Sequence, residues 1–194
     1  MRHRALYRAI NPFYRAAGRP RSSGACPVHL AVNSAGNMFA AMFSKEEASR
    51  IRQQFWKTFG QYMSLHLSAE GLKVNWINYK TGIRHLAFRM DAGRRSASIS
   101  IELSDPDTGM QELLFQQFAA LKPLLANHLN EPWEWQLLLP DGQGHTVSRI
   151  GKELPGVNIF RREDWPAIIS FLKPRLIALD AFWCEARYGF EDFR

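Results

Sequence analysis

Two carboxylates, Asp91 and Glu102, stand on neighbouring stretches of alternating hydrophobicity. Acidic residues so displayed can gather a divalent cation that activates water for phosphodiester hydrolysis. Leu103 and Ser104 follow Glu102, so no lysine stands two residues after it. His85 falls opposite Glu102 in the register expected below and offers an acid–base pair; the plainer reading is a structural pair. A second set is Trp133, Trp135 and Trp165 with Arg149, Arg161 and Arg162. Aromatic rings with guanidiniums stack bases or anchor a protein partner. The plainer alternative puts the tryptophans in the core and the arginines in water. His66, His128 and His145 have no metal-ligand spacing, so no metal site and no cofactor is expected. Gly142-Gln143-Gly144 is not a phosphate loop, and no glycine-x-serine-x-glycine motif is present.

The stretch that must position these groups runs from Glu70 to Ser104. Its period-2 alternation predicts three antiparallel strands. Leu72, Val74 and Trp76 alternate with polar residues, as do Leu86, Phe88 and Met90, and then Ala97, Ile99, Ile101 and Leu103. A Lys80-Thr81-Gly82 loop, with glycine left-handed, would pair Trp76 with Leu86, Val74 with Phe88 and Leu72 with Met90. A loop over Ala92–Arg95 would pair Asp91 with Ser96, Phe88 with Ile99, Leu86 with Ile101 and Glu102 with His85. The opposite face would then carry Lys73, Asn75, His85, Arg89, Asp91, Ser98, Ser100 and Glu102. It is either a solvated face or a binding or catalytic surface. In this register six residues at roughly 3.3 Å each hold Asp91 and Glu102 about 20 Å apart, whereas paired metals sit about 4 Å apart.

Around the meander the sequence predicts helices. Ser44-Lys45-Glu46-Glu47 is a capping box, followed by Ile51, Phe55, Phe59 and Tyr62 or Met63 at helical spacing. Ser104-Asp105-Pro106-Asp107 starts a second helix, with Pro123 inside its pattern as a kink or early end and Pro132 closing the segment. Trp135–Leu139 and His145–Ile150 read as a hairpin turning through Pro140–Gly144, and Val157–Phe160 as a further short strand. A long last helix begins near Glu163-Asp164, with Pro174 bending it.

Among 194 residues, 46% are hydrophobic, enough for one core. No run approaches the roughly 18 apolar residues of a membrane span. Two distant cysteines, Cys26 and Cys184, fit a reducing compartment. The net charge of +7 is unevenly spread. Residues 1–42 hold six arginines and no acid, leaving nineteen basic against eighteen acidic residues elsewhere. Residues 1–41 therefore fit a basic disordered arm, an organelle presequence, or a mis-assigned start upstream of Met38 or Met42; residues 42–194 form a single domain.

Phe55-Trp56-x-x-Phe59-Gly60-Gln61-Tyr62-Met63, Asn75 to Gly82, Phe88-Arg89-Met90-Asp91, Trp133-Glu134-Trp135 and Glu163-Asp164-Trp165-Pro166 together resemble a bacterial family carrying a domain of unknown function, number 4268. The resemblance covers about residues 42–194 and implies a cytoplasmic bacterial protein. It brings no catalytic residues, and it favours a start near Met42. Similar domains following nuclease-like domains point to a DNA-related or defence setting. The expected class is α+β: helix, three-stranded antiparallel meander, helix, β-hairpin, long C-terminal helix. That order is distantly similar to restriction-endonuclease-like cores, a likeness that implies an acid on the second strand and an acid-x-Lys on the third; Glu102-Leu103-Ser104 lacks that lysine. Two functions fit: a non-catalytic interaction module taking a protein or nucleic acid, with no membrane role, or a nuclease-like enzyme with a degenerate or shifted metal site. What separates them is whether Asp91, Glu102, Glu70 or Glu112 converge.

Overall fold

The computed structural model describes residues 44–140 and 144–193. The arm at 1–41 and most of the turn expected at Pro140–Gly144 lie outside them. The class is α+β. One four-stranded antiparallel sheet is built from β1 (Leu86–Ala92), β2 (Ser96–Leu103), β3 (Glu134–Pro140) and β4 (Thr146–Pro155), in the order β1-β2-β4-β3. Helices α1 (Lys45–Met63), α2 (Thr108–Ala120), α3 (Lys122–Leu129) and α4 (Trp165–Ala186) complete the fold.

The local signals at the helix ends are realised. Ser44 accepts from the Glu47 amide at 3.1 Å, while the Glu47 carboxylate accepts from the Ser44 amide at 3.0 Å. Phe55, Phe59 and Met63 are buried, and Tyr62 is left outside. Asp107 caps α2, and the helix is interrupted at Leu121, placing Pro123 in the first turn of α3, where its missing N–H costs nothing. Pro174 is accommodated inside α4, which runs on to Ala186.

The core lies on one face of the sheet. Leu86, Phe88, Ile99, Ile101, Leu103 and Ile150 point into it and are buried. Helix α4 packs on β1 and β2, and α2 on β2, β3 and β4. A buried polar knot pins α2 to the β3–β4 hairpin. The Gln111 amide donates to the Asp105 and Thr146 carbonyls and accepts from Ser148, whose hydroxyl accepts from the Leu138 amide at the β3 bulge.

Three expectations are corrected. The first strand does not form: residues 70–82 are an irregular loop, and the pairings of Leu72, Val74 and Trp76 with β1 are absent. Side chains replace the ladder. Asn75 accepts from the Ile77 and Asn78 amides to make a turn, Tyr79 donates to Asp180 at 2.7 Å, and Trp76 donates to the His66 carbonyl at 3.0 Å. Lys73, Asn75 and His85 therefore leave the open sheet face. Second, the β1–β2 hairpin is two residues tighter at its turn. Phe88 pairs with Ile101, Asp91 with Ser98 and Glu102 with Ala87, not with His85. A shift of two preserves strand parity, so every side chain keeps its expected face. Third, Val157–Phe160 is a loop, tied to the β1–β2 turn by the Ile159 amide donating to the Gly93 carbonyl.

Candidate functional site

The sheet face that no described helix covers is polar. Its rows are Ala87–Glu102–Arg149–Gln136, Arg89–Ser100–Gly151–Glu134 and Asp91–Ser98–Glu153. Small residues at Ser98, Ser100 and Gly151 floor a shallow trough of about 530 Å³. Glycine is required at 151 because a Cβ there would come within 2.8 Å of the Ser100 Cβ. Glu102 is fully engaged: one oxygen meets Arg89 at 3.3 Å and the other Arg149 at 2.9 Å. Asp91 lies four residues along and one strand across from Glu102, about 14 Å away, closer than the expected register gave. His85 sits outside the strand at φ 58°, with its carbonyl accepting from the Ser104 amide. Glu70 is bound to Arg187, and Glu112 is exposed on α2. The four carboxylates do not converge. Among the described residues no group of His, Cys, Asp or Glu is placed to hold a metal ion.

The tryptophan–arginine set divides in two. Trp135 pairs with Ile150 and Arg149 with Gln136, so they occupy opposite faces of the sheet. Trp135 meets Phe115 edge-on at 5.5 Å, with Lys122 over its ring. Trp133 is buried and donates to Glu131 at 3.0 Å, which also takes a two-pronged contact from Arg175. Burial alone would raise the Glu131 carboxyl, but the Arg175 and Trp133 hydrogen bonds hold it below the usual carboxylate range.

Trp165, Arg161 and Arg162 belong to a different corner, completed by residues the sequence did not single out. Trp165 donates to the Ile159 carbonyl and packs edge-on against Phe55 of α1 at 5.5 Å. Arg162 lies over the Trp165 ring at 5.6 Å and donates to Gln54. Phe160 is flanked by Arg52 of α1 at 5.6 Å and by Arg94 of the β1–β2 turn at 5.5 Å. Arg161 stands between the two rings in sequence. Thus α1, the β1–β2 turn and the loop before α4 bring Arg52, Arg94, Arg161 and Arg162 to one exposed corner. None of the four has a carboxylate partner among the described residues. Glu163, exposed beside them, offsets one charge, and Asp164 is occupied by the Asn158 amide. Stacking on a ring orients a guanidinium while leaving its N–H donors outward. The local signal was Phe160-Arg161-Arg162; Arg52 and Arg94 arrive only through tertiary contacts.

A third feature is the latch on the 68–82 loop. Asp180, 3% exposed on α4, accepts from the Ala69 amide at 2.6 Å and from the Tyr79 hydroxyl at 2.7 Å. Trp183 donates to the Thr81 carbonyl, and Tyr79 stacks on Phe88 at 5.1 Å. Burial, then the bond to Asp180, pushes the Tyr79 hydroxyl well above its ordinary pKa.

The described residues define a two-layer α+β domain in which they leave one sheet face uncovered and form a separate cationic corner. Residues 51–187 match the domain of unknown function DUF4268, and the chain belongs to that family. Searches among curated proteins and among solved structures find no match. No helix among the described residues is long and apolar enough to cross a membrane.

Proposed function

We propose that this domain is a non-catalytic interaction module of the bacterial cytoplasm, serving a DNA-related or defence system, and that it holds the phosphate backbone of a nucleic acid at the arginine corner. The observation that carries this reading is the convergence of four exposed arginines, unpaired with carboxylates among the described residues, from three separate elements. Phe160 and Trp165 are each only 9% exposed, so they support the guanidiniums and leave no ring for a base to stack on. Among the described residues no large apolar side chain is exposed at the corner either. A protein interface takes its affinity from a desolvated apolar or aromatic centre. A phosphate backbone needs only neutralising charge, and this corner supplies charge alone. The sheet trough fits phosphate poorly: Asp91, Glu134 and Glu153 face it, and its two arginines share Glu102. The nuclease-like alternative lacks comparable support, because the oxygens of Glu102 are held by guanidiniums and Asp91 stands about 14 Å off.

The test is fluorescence anisotropy of a labelled duplex with the full chain at low salt. Arg94→Ala and Arg162→Ala each weaken binding several-fold, uniformly across duplex sequences, whereas Arg149→Ala changes it little. Binding unaffected at Arg94 and Arg162 but lost at Arg149 would move the contact to the sheet face and refute the assignment.

A further inference from the structure

The exposed large apolar side chains are unevenly distributed. Tyr62, Leu65, Leu67, Leu72 and Ile77 all belong to the end of α1 and the loop that follows it, and Leu65 is 81% exposed. The loop doubles back on the helix end. The Ser68 amide donates to the Leu72 carbonyl, and the Leu72 amide to the Ser68 hydroxyl, which returns Leu72 beside Leu67. The Trp76 indole donates to the His66 carbonyl. Ile77 lies against Gly60, where an added Cβ would sit 3.3 Å from its Cγ1. Five exposed apolar side chains within one helix end and its loop mark an interaction site, in contrast to single scattered leucines.

The rim states the partner's charge. The Lys173 ammonium stands 4.8 Å over the Tyr62 ring. Lys73 adjoins Leu72, and Lys57 lies one helical turn before Gly60. None of these lysines has a carboxylate partner among the described residues. The nearby acids are already engaged, Glu70 by Arg187 and Asp180 by the latch. An apolar centre inside a cationic rim complements an amphipathic segment with leucine-type residues on one face and carboxylates flanking them. A second copy fits badly, because self-association would set lysine rim against lysine rim.

We infer that the surface made by Tyr62, Leu65, Leu67, Leu72 and Ile77 docks an acidic amphipathic helix of a partner protein. This surface is separate from the arginine corner and does not depend on nucleic-acid binding. The domain would then join an acidic protein segment to a phosphate backbone.

The experiment uses the full chain and three synthetic peptides of about 18 residues with helical leucine spacing. One has glutamates between the leucines, one has lysines there, and one keeps the glutamates but replaces each leucine by serine. Anisotropy should show micromolar binding of the first peptide and at least about tenfold weaker binding of the other two, a difference of about 1.4 kcal/mol. Leu65→Ser, a change at an almost fully exposed position, should weaken the first peptide at least tenfold while leaving thermal stability intact. Equal binding of the glutamate peptides with and without leucines, unaffected by Leu65→Ser, would show charge capture elsewhere and overturn the proposal. Equal binding of the lysine peptide would overturn the role of the rim. Sedimentation velocity over a wide concentration range gives monomer here; a dimer dissociated by Leu65→Ser would assign the surface to self-association instead.

Discussion

Asp180→Ala tests whether the 68–82 loop is held by one carboxylate rather than by strand pairing. The substitution removes the acceptor of two hydrogen bonds, from the Ala69 amide and the Tyr79 hydroxyl. A hydrogen bond to a charged group contributes about 1.5–3 kcal/mol, giving about 3–6 kcal/mol for the pair. Two effects pull the value to the low end. The buried carboxylate no longer has to be desolvated, and Tyr79 is only half-buried, so water reaches its freed hydroxyl. The expected loss is about 3–4 kcal/mol. At about 2–4 °C per kcal/mol for a domain of this size, Tm falls by roughly 10 °C. Tyr79→Phe alone should cost about 1–2 kcal/mol, because the Ala69 bond remains. The double variant should cost less than the sum of the singles, since both remove the same contact. The assays are thermal and denaturant melts with hydrogen exchange on the loop. In Asp180→Ala the Ala69 amide should lose its protection while amides of β2 keep theirs. A loss under about 1 kcal/mol with Ala69 still protected would refute the latch.

The same contact makes a pH prediction. Tyr79 has a folded pKa raised above its unfolded value near 10, so its contribution is complete below pH 10 and declines above it, where only the unfolded chain gives up the proton. Relative to Tyr79→Phe, the native chain should lose stability between pH 10 and 11 by less than about 1.4 kcal/mol per unit, the single-proton limit reduced by partial solvent access; parallel curves would contradict it. Phe88, packed between Tyr79 and Trp183, should cost about 3–5 kcal/mol as alanine, whereas Arg89→Ala should stay within about 1 kcal/mol; equal losses would overturn the face assignment. Incubated with DNA or RNA and magnesium or manganese, the protein should not cut; cleavage abolished by both Asp91→Ala and Glu102→Ala in folded protein would restore the nuclease reading.

How much was legible depended on whether a signal was local. The alternation of β1 and β2 identified their faces, and the hairpin slip left those faces unchanged because two residues restore parity. The same alternation misled at Leu72, Val74 and Trp76. There Asn75 closes a turn and Asp180, about a hundred residues later, takes the hydroxyl that fixes the loop, a contact no periodicity announces. The hairpin after Trp133 is legible from its two apolar stretches, but the sequence also groups Trp135 with Arg149. Only the pairing of Trp135 with Ile150 reveals that they face opposite ways. At the arginine corner, Phe160 to Trp165 carried a visible signal. Arg52 and Arg94 were hidden because a helix and a turn supply them from elsewhere in the chain.

The salt dependence of duplex binding tests the central claim most directly. Each arginine that neutralises a phosphate adds about 0.9 to the steepness of log K against log salt. The basic residues of 1–42 contribute equally to the native chain and to any corner variant, so the difference between them isolates the corner. For full-length Arg52→Ala/Arg94→Ala/Arg162→Ala with an unchanged melting curve, the slope should become shallower by about 3. An unchanged slope, with affinity equal to that of the native chain at every salt concentration, would contradict the claim that this corner holds the backbone.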